Sequence, residues 1–320
     1  MTATALKESF SFELNAVPPY SFELTVHKPA GWWWSTPNET YENGTLWSAT
    51  RIDKTPFGLK LQSLGTAVKP KVCCTAFSAK KATEETKAQI KHTLQRALQT
   101  SEDLSEFYSL AQKDCVLCDA AADLCGMHAV GWPELFPAMI LAATLQMAPM
   151  KRSNQMMDSL IENFGTKLCF DGKTIHYWPS TKKISDTPIT VLQKRAKLGY
   201  RAANLVSIAQ TLEAGFPTMD ELHDMEPEKA RKTLFGLRGI GGYSAELVML
   251  EAGFPLDSWS AKIFGVLFFG KVPDDPREAI SALREEAQKR WGKWMGYAFV
   301  YVLNDLPQLS KRVGFDLTQF

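Results

Sequence analysis

Leu237-Arg238-Gly239-Ile240-Gly241-Gly242-Tyr243-Ser244-Ala245 is the stretch that decides the fold, because it joins two helical segments through a turn rich in glycine. The three glycines permit positive φ and leave no side chain to keep a phosphate from the backbone amides. The residues before the turn, 227–235, and after it, 244–251, have helical composition. The exposed amides therefore precede a helix N-terminus, where the helix dipole favours an anion. A dinucleotide site would need a strand before the glycines, so a helix, a hairpin and a helix are the better interpretation.

A second motif follows the hairpin and carries the resemblance to a known family. The pattern Leu-x-Gly-Ile-Gly-x-x-Ser-Ala, the turn Gly253-Phe254-Pro255 and then Asp257 resemble the helix-hairpin-helix, Gly/Pro-Asp superfamily of DNA glycosylases. Residues 198–202 and 140–146 resemble segments of its alkyladenine and 8-oxoguanine branches, and the resemblance covers about two thirds of the chain. It implies a hairpin that clamps a DNA backbone, with the contacts supplied by Gly239, Ile240, Gly241, Gly242 and Ser244.

Composition limits the class of protein. The chain has 320 residues, 45% of them hydrophobic, which is enough for a globular core. The net charge of +1 means that binding to nucleic acid would need a local basic face. No apolar run is long enough to span a membrane and the polar N-terminus lacks a signal peptide, so we expect a DNA-associated protein inside the cell.

The six cysteines are too few and too irregularly spaced for a disulfide scaffold. Cys115-x-x-Cys118 with Cys125 suggests zinc, but only His128 stands nearby as a fourth ligand and the segment has helical periodicity, so ordinary thiols are the better interpretation. No cysteine follows Cys169, which argues against an iron-sulfur cluster. We therefore expect neither a metal nor another cofactor.

The expected fold is α+β. Alternating segments predict an antiparallel sheet domain with a packing helix at 1–103, after a polar lead-in, with strands at 20–26, 32–34, 45–51, 58–62 and 72–77. Helical signals dominate from Leu104 onward without a convincing strand, which predicts a helical glycosylase domain at 104–320 that contains the helix-hairpin-helix at 232–256. A cleft is expected between the two domains.

The resemblance makes Asp257 the catalytic residue. Breaking an N-glycosidic bond creates oxocarbenium character at C1′, which a fixed carboxylate can stabilise while it positions water. The alternative role, an N-cap for the helix that follows, is compatible with catalysis. Bifunctional relatives carry a lysine where this chain has Tyr243, so the resemblance implies a monofunctional enzyme that leaves an abasic site.

A flipped base leaves a gap that an apolar side chain must fill. We predict Met147 as this wedge, at the position where similar alkyladenine glycosylases carry their intercalating leucine, although methionine is also a common core residue. Gln146, which precedes it in the same turn, is a candidate DNA contact, as are Lys151, Arg152 and Lys262.

An aromatic cleft would suit electron-poor alkylated purines, because stacking and cation-π attraction contribute about 1 to 2 kcal/mol per contact. Its candidate residues are Trp178, Tyr200, Tyr243, Trp259 and Phe299. The positions from which the 8-oxoguanine branch reads its base align with Pro29 and Phe299, which offer no polar side chain. The expected partner is double-stranded DNA with a damaged base, bound by a monomer. Alternatives are an 8-oxoguanine or G/T(U) mismatch glycosylase, or a damage-binding protein that does not cleave.

Overall fold

A computed structural model describes residues 3–129 and 131–320, so the predicted domains at 1–103 and 104–320 can be compared except at residues 1, 2 and 130. The strands are β1 (Thr4–Ala5), β2 (Glu8–Asn15), β3 (Thr40–Glu42), β4 (Thr45–Ile52), β5 (Thr55–Ser63), β6 (Lys71–Ser78), β7 (Thr166–Phe170) and β8 (Lys173–Tyr177). The first eight helices are α1 (Phe22–Val26), α2 (Glu84–Ala97), α3 (Ser105–Ala111), α4 (Cys118–Asp123), α5 (Leu135–Leu145), α6 (Met150–Phe164), α7 (Thr181–Ser185) and α8 (Ile189–Arg195). The others are α9 (Arg201–Glu213), α10 (Met219–His223), α11 (Pro227–Phe235), α12 (Gly242–Val248), α13 (Ser260–Phe269), α14 (Ile280–Trp291), α15 (Met295–Asn304) and α16 (Leu306–Val313).

The N-terminal part is an antiparallel sheet of five strands in the order β2-β6-β5-β4-β3. Along β6 buried residues alternate with partly exposed ones, as a strand with one face in a core requires. Leu59 and Leu61 share a core cluster with Ile90 and Leu94 of α2, and all four are fully buried. The predicted sheet with its packing helix is confirmed.

Three local predictions within this part were wrong. Residues 22–26 form α1 instead of a strand, because the Ser21 hydroxyl caps the helix and Phe22 and Val26 bury the same face. Residues 32–34 are not a strand, since the backbone N–H of Trp34 donates to the Glu39 carboxylate at 2.6 Å. The polar lead-in contains β2, which pairs with β6 along its whole length.

The helical body surrounds α5, of whose eleven residues nine are buried. Helices α6, α9 and α12 all contact α5. The described part of the chain contains no helix with the length and hydropathy that a membrane crossing requires.

The expectation of no strand after Leu104 was wrong. Strands β7 and β8 form a hairpin through Asp171 and Gly172, both at positive φ, and with β1 they make a second sheet. This sheet packs on the larger one so closely that a Cβ at Gly58 would lie 2.4 Å from the Phe170 ring. The Asp-Gly pair was a sequence signal for this hairpin that we overlooked. The α+β class with a helical body is nevertheless confirmed.

Candidate functional site

The hairpin between α11 and α12 is held from below by apolar side chains and by α9. Leu237 and Ile240 are buried, whereas Gly241 and Gly242 are exposed. Of the three glycines only Gly239 adopts positive φ, at +79°. Its Cα also lies so near Asn204 of α9 that an added Cβ would be 2.4 Å from the amide nitrogen. The positive φ favours glycine at 239, and a larger residue there would also displace the Asn204 side chain.

The turn after α5 faces this hairpin and presents Met147. The side chain of Met147 is 80% exposed, and its φ of 48° is uncommon for a residue other than glycine. The interpretation of Met147 as an ordinary core residue is therefore wrong. An exposed methionine held in the left-handed region is free to enter a neighbouring molecule, and such strain often marks functional positions.

Gln146 does not point outward as predicted for a DNA contact. Its Nε2 donates to the Gly239 carbonyl at 2.7 Å and to the Ser244 hydroxyl at 2.8 Å. Arg201 is buried and donates from Nε to the Ala143 carbonyl at 3.1 Å and from a terminal nitrogen to the Gln146 carbonyl. The last carbonyls of a helix have no N–H donor within the helix. At the end of α5, Arg201 provides the missing donors.

Asp257 lies three residues before Ser260, the first residue of α13, and its carboxylate is held from one side. Its Oδ1 accepts from the backbone N–H of Trp259 at 3.1 Å, from that of Ser260 at 2.8 Å and from the Ser260 hydroxyl at 2.8 Å. Ser260 reciprocates by accepting from the Asp257 N–H at 2.9 Å. Among the described residues no hydrogen bond reaches Oδ2. One oxygen is thus oriented by three donors while the other is left for chemistry.

Two of the predicted pocket aromatics lie beside this carboxylate. Tyr243 is partly buried, and its burial, with a smaller contribution from the negative charge of Asp257, raises the pKa of its phenol. Trp259 follows Asp257 by two positions and is 40% exposed. The structure therefore brings Tyr243, Trp259 and Asp257 together at the surface.

The other three predicted pocket residues lie elsewhere. Trp178 is fully buried and its indole N–H donates to the Ser35 carbonyl at 2.8 Å. Phe299 is 5% exposed and packs against Phe254 and Phe264, with ring centroids 5.6 and 5.7 Å away. The predictions for Trp178 and Phe299 were wrong, because both side chains are used in the core.

Tyr200 was placed in the pocket by prediction but lies beside the Met147 turn. It is 57% exposed, and the Arg201 guanidinium that holds the Gln146 carbonyl sits 4.6 Å from its ring centroid. The exposed apolar surface near the turn thus includes both Tyr200 and Met147.

The cationic side chains predicted to contact DNA differ in whether they already bond to other parts of the protein. Lys151 is exposed at the start of α6, whereas Arg152 donates to the Lys197 carbonyl at 2.6 Å. The ammonium of Lys262 lies 5.5 Å from the centroid of the Phe320 ring. Arg238, an exposed cation within the hairpin, was not among the predicted DNA contacts. Its position between Leu237 and Gly239 of the motif could have indicated it.

The metal-binding potential of the described residues is small. Cys115 and Cys125 are exposed and Cys118 is partly exposed, and all three are free thiols. Within residues 3–129 and 131–320 no group of three or more His, Cys, Asp or Glu side chains could hold a metal ion.

The chain was compared with known proteins by sequence and by structure. No family model matches the chain. DNA-3-methyladenine glycosylase of Bacillus subtilis (strain 168) is 24% identical over 206 residues, which make up 62% of this chain and 66% of that protein. The 3-methyladenine DNA-glycosylase from Archaeoglobus fulgidus has a TM-score of 0.72 at 18% identity over 92% of this chain and 98% of its own.

A second solved structure has nearly the same likeness. The Clostridium acetobutylicum 8-oxoguanine glycosylase/lyase, in complex with double-stranded DNA containing cytosine opposite 8-oxoguanine, has a TM-score of 0.68 at 15% identity. The likeness covers 95% of this chain and 98% of that one. At these identities the solved structures establish the fold.

Proposed function

We propose that the chain is a member of the helix-hairpin-helix superfamily of DNA glycosylases and that it hydrolyses the N-glycosidic bond of damaged bases in DNA. The observation that carries the proposal is Asp257, with Oδ1 held by three donors and Oδ2 directed away from them. A carboxylate that is oriented before the reaction loses little free energy in reorganisation when positive charge develops on the sugar. Asp257 would stabilise that charge and position the attacking water.

The bound state requires the other parts of the site. Gly239, Ile240, Gly241, Gly242 and Ser244 would hold a DNA phosphate through the hairpin, and Met147 would fill the gap that the flipped nucleotide leaves. Lys151 and Arg238 are the exposed cations nearest in sequence to these two elements. The proposed partner is double-stranded DNA, bound by a monomer.

The enzyme is proposed to be monofunctional. Tyr243 stands where bifunctional relatives carry a nucleophilic lysine, and its raised pKa keeps the phenol protonated and weakly nucleophilic. Lys232 is on the solvent side of α11 with a side chain that is 72% exposed, and Lys262 lies against Phe320. Water is then the nucleophile, and an abasic site with an intact strand is the product.

Alkylated purines are the proposed substrates. Methylation gives the purine a positive charge, which weakens the glycosidic bond and favours stacking on aromatic rings. Tyr243 and Trp259 offer such rings beside Asp257, and one carboxylate suffices when the base is a good leaving group. An 8-oxoguanine substrate is the second candidate, because the fold resembles that of an 8-oxoguanine glycosylase/lyase almost as closely as that of a 3-methyladenine enzyme.

The test is base release from duplexes that carry methylated purines, hypoxanthine, 8-oxoguanine, uracil or a G/T mismatch. Asp257→Asn keeps an oxygen that can cap α13 but removes the charge, so we expect release to fall about 100-fold or more while the fold is retained. Asp274→Asn, at an exposed carboxylate, is the matched control. Strand breaks should appear only after alkali treatment.

Each alternative has its own outcome in this assay. Release of 8-oxoguanine alone would replace the proposed substrate, and strand cutting without alkali would overturn the monofunctional mechanism. Tight binding to lesion DNA without release of any base would indicate a damage-binding protein.

A further inference from the structure

The wedge turn and the hairpin are joined by one side chain. Gln146 has two N–H donors on its amide nitrogen, and both are used, one on the Gly239 carbonyl at 2.7 Å and one on the Ser244 hydroxyl at 2.8 Å. Gly239 lies within the hairpin and Ser244 lies in the first turn of α12. Gln146, the residue before Met147, is thus hydrogen-bonded to both ends of the proposed phosphate clamp.

The backbone of Gln146 is fixed as firmly as its side chain. The buried guanidinium of Arg201 donates to the carbonyls of Gln146 and Ala143, which ties the turn to α9. One helical turn later on α9, Asn204 packs against Gly239 from beneath. Helix α9 therefore supports the turn and the hairpin together, and Gln146 connects them at the surface.

The next residue, Met147, has a φ of 48°, which lies in the left-handed region. A strained conformation persists only where the surrounding structure holds it. If the bonds of Gln146 were lost, the turn could relax toward an ordinary conformation and the exposed methionine would no longer point in a fixed direction.

We infer that Gln146 is a positioning residue that couples the wedge to the clamp, so that gripping the backbone and inserting Met147 occur as one event. The inference rests on the proposed function, because it assumes that Met147 enters DNA. In this inference Gln146 acts through its hydrogen bonds within the protein and does not contact the nucleic acid.

The experiment compares binding of the full chain to an undamaged duplex and to one with a tetrahydrofuran abasic analogue, with 2-aminopurine opposite the analogue to report unstacking. For Gln146→Leu, which keeps the volume but donates nothing, we expect the preference for the abasic analogue to fall about tenfold and the 2-aminopurine signal to drop. Binding to the undamaged duplex should weaken less than binding to the abasic duplex. Gln193→Leu, at an exposed glutamine of α8 that donates to the Gly199 carbonyl at 3.3 Å, is the matched control.

A double-mutant cycle separates positioning from general loss of structure. If Gln146 acts through Met147, the effects of Gln146→Leu and Met147→Ala on abasic preference will be strongly non-additive. Ser244→Ala, which removes one of the two acceptors, should give an intermediate loss. Additive effects, or a Gln146→Leu variant with the wild-type preference, would overturn the inference.

The two hypotheses fail in different measurements. A wild-type chain that releases no base but still prefers the abasic duplex would contradict the proposed function and leave the coupling testable by the same cycle. A wild-type chain without that preference would overturn the coupling itself, since there would be no wedge to position.

Discussion

In the proposed mechanism the side chain of Asp257 is both held and reactive. Its Oδ1 accepts three hydrogen bonds from residues at the start of α13, and these bonds orient the whole carboxylate. Two of the three bonds come from backbone amides that any residue would supply, whereas the third comes from the hydroxyl of Ser260. Ser260 is buried at 1% exposure, so its hydroxyl is held in this orientation.

We predict that Ser260→Ala lowers the single-turnover rate constant of base release about fivefold without abolishing it. The substitution removes the hydroxyl donor to Oδ1 and the acceptor for the Asp257 N–H, and a hydrogen bond of this kind contributes about 1 kcal/mol. The rate is measured with enzyme in saturating excess over a methylated duplex. Ser258→Ala, at the exposed serine beside Asp257, is the control, and equal rates in both variants would contradict the prediction.

The predicted site residues differ in how far the sequence could identify them. Asp257, Gly239 and Met147 follow from short patterns whose geometry is local. Trp178 does not, because it is buried in the core and its indole N–H donates to the carbonyl of Ser35, which lies 143 positions away in the chain. A bulky aromatic residue serves equally well as core or as a stacking surface, and only its distant neighbours decide.

Helices and strands were predicted best where apolar residues kept one regular spacing over the whole element. Helix α1 is the counterexample, since five residues with alternating character became helical through the Ser21 cap and burial of Phe22 and Val26. A segment so short has no stable preference of its own, and packing determines its state. The helices α2, α6 and α9 are long enough for their pattern to prevail.

An ion pair connects the elements on either side of the candidate site. Glu246 of α12 is buried and receives two hydrogen bonds from Arg284 of α14, at 2.6 and 2.9 Å. The same guanidinium donates to the Phe254 carbonyl at 3.2 Å, in the loop that leads to Asp257. Arg284 thereby fixes α12 relative to the loop that contains Asp257.

We predict that Arg284→Met lowers the free energy of unfolding by about 2 kcal/mol, because a buried carboxylate loses its main partner. The loss is moderated because Arg284 is partly exposed and Arg231 remains 3.5 Å from Glu246. Urea unfolding measures the change, and Arg277→Met at an exposed site is the control. The double variant Glu246→Met/Arg284→Met should be more stable than Arg284→Met alone; a double variant that is less stable would show that the pair is not the cause.

The molecule as a whole is held together by polar contacts between its two cores. Arg96 of α2 pairs with Asp220 of α10 and donates to the Trp132 carbonyl at 2.9 Å. Arg51 of β4 donates to the Trp178 carbonyl at 2.9 Å. Such contacts join residues that are far apart in sequence. A single sequence therefore gives no indication of these contacts, although it predicts both the sheet and the helical body.

A buried carboxyl group, that of Glu251, makes stability depend on pH. Burial, with the nearby charge of Glu102 as a smaller cause, raises the pKa of Glu251 from 4.5 to about 7. Its Oε1 lies 3.0 Å from Nδ1 of His223, whose pKa is lowered from 6.5 to about 4, chiefly by burial and then by Arg96. In the folded chain Glu251 therefore keeps a proton that the unfolded chain releases above about pH 4.5.

A group that binds its proton more tightly in the folded state stabilises the fold less as pH rises, here between about pH 4.5 and 7. His223 has the opposite slope between about pH 4 and 6.5, so the two contributions partly cancel in the wild type. We predict that Glu251→Gln, which keeps a neutral amide beside His223, gains stability relative to the wild type as pH rises from 5 to 8, by at most about 3 kcal/mol. Urea unfolding at each pH measures the difference, with Glu285→Gln at an exposed position of α14 as the control. A difference between variant and wild type that stays constant or shrinks over this range would mean that Glu251 is already ionised in the folded chain at pH 5.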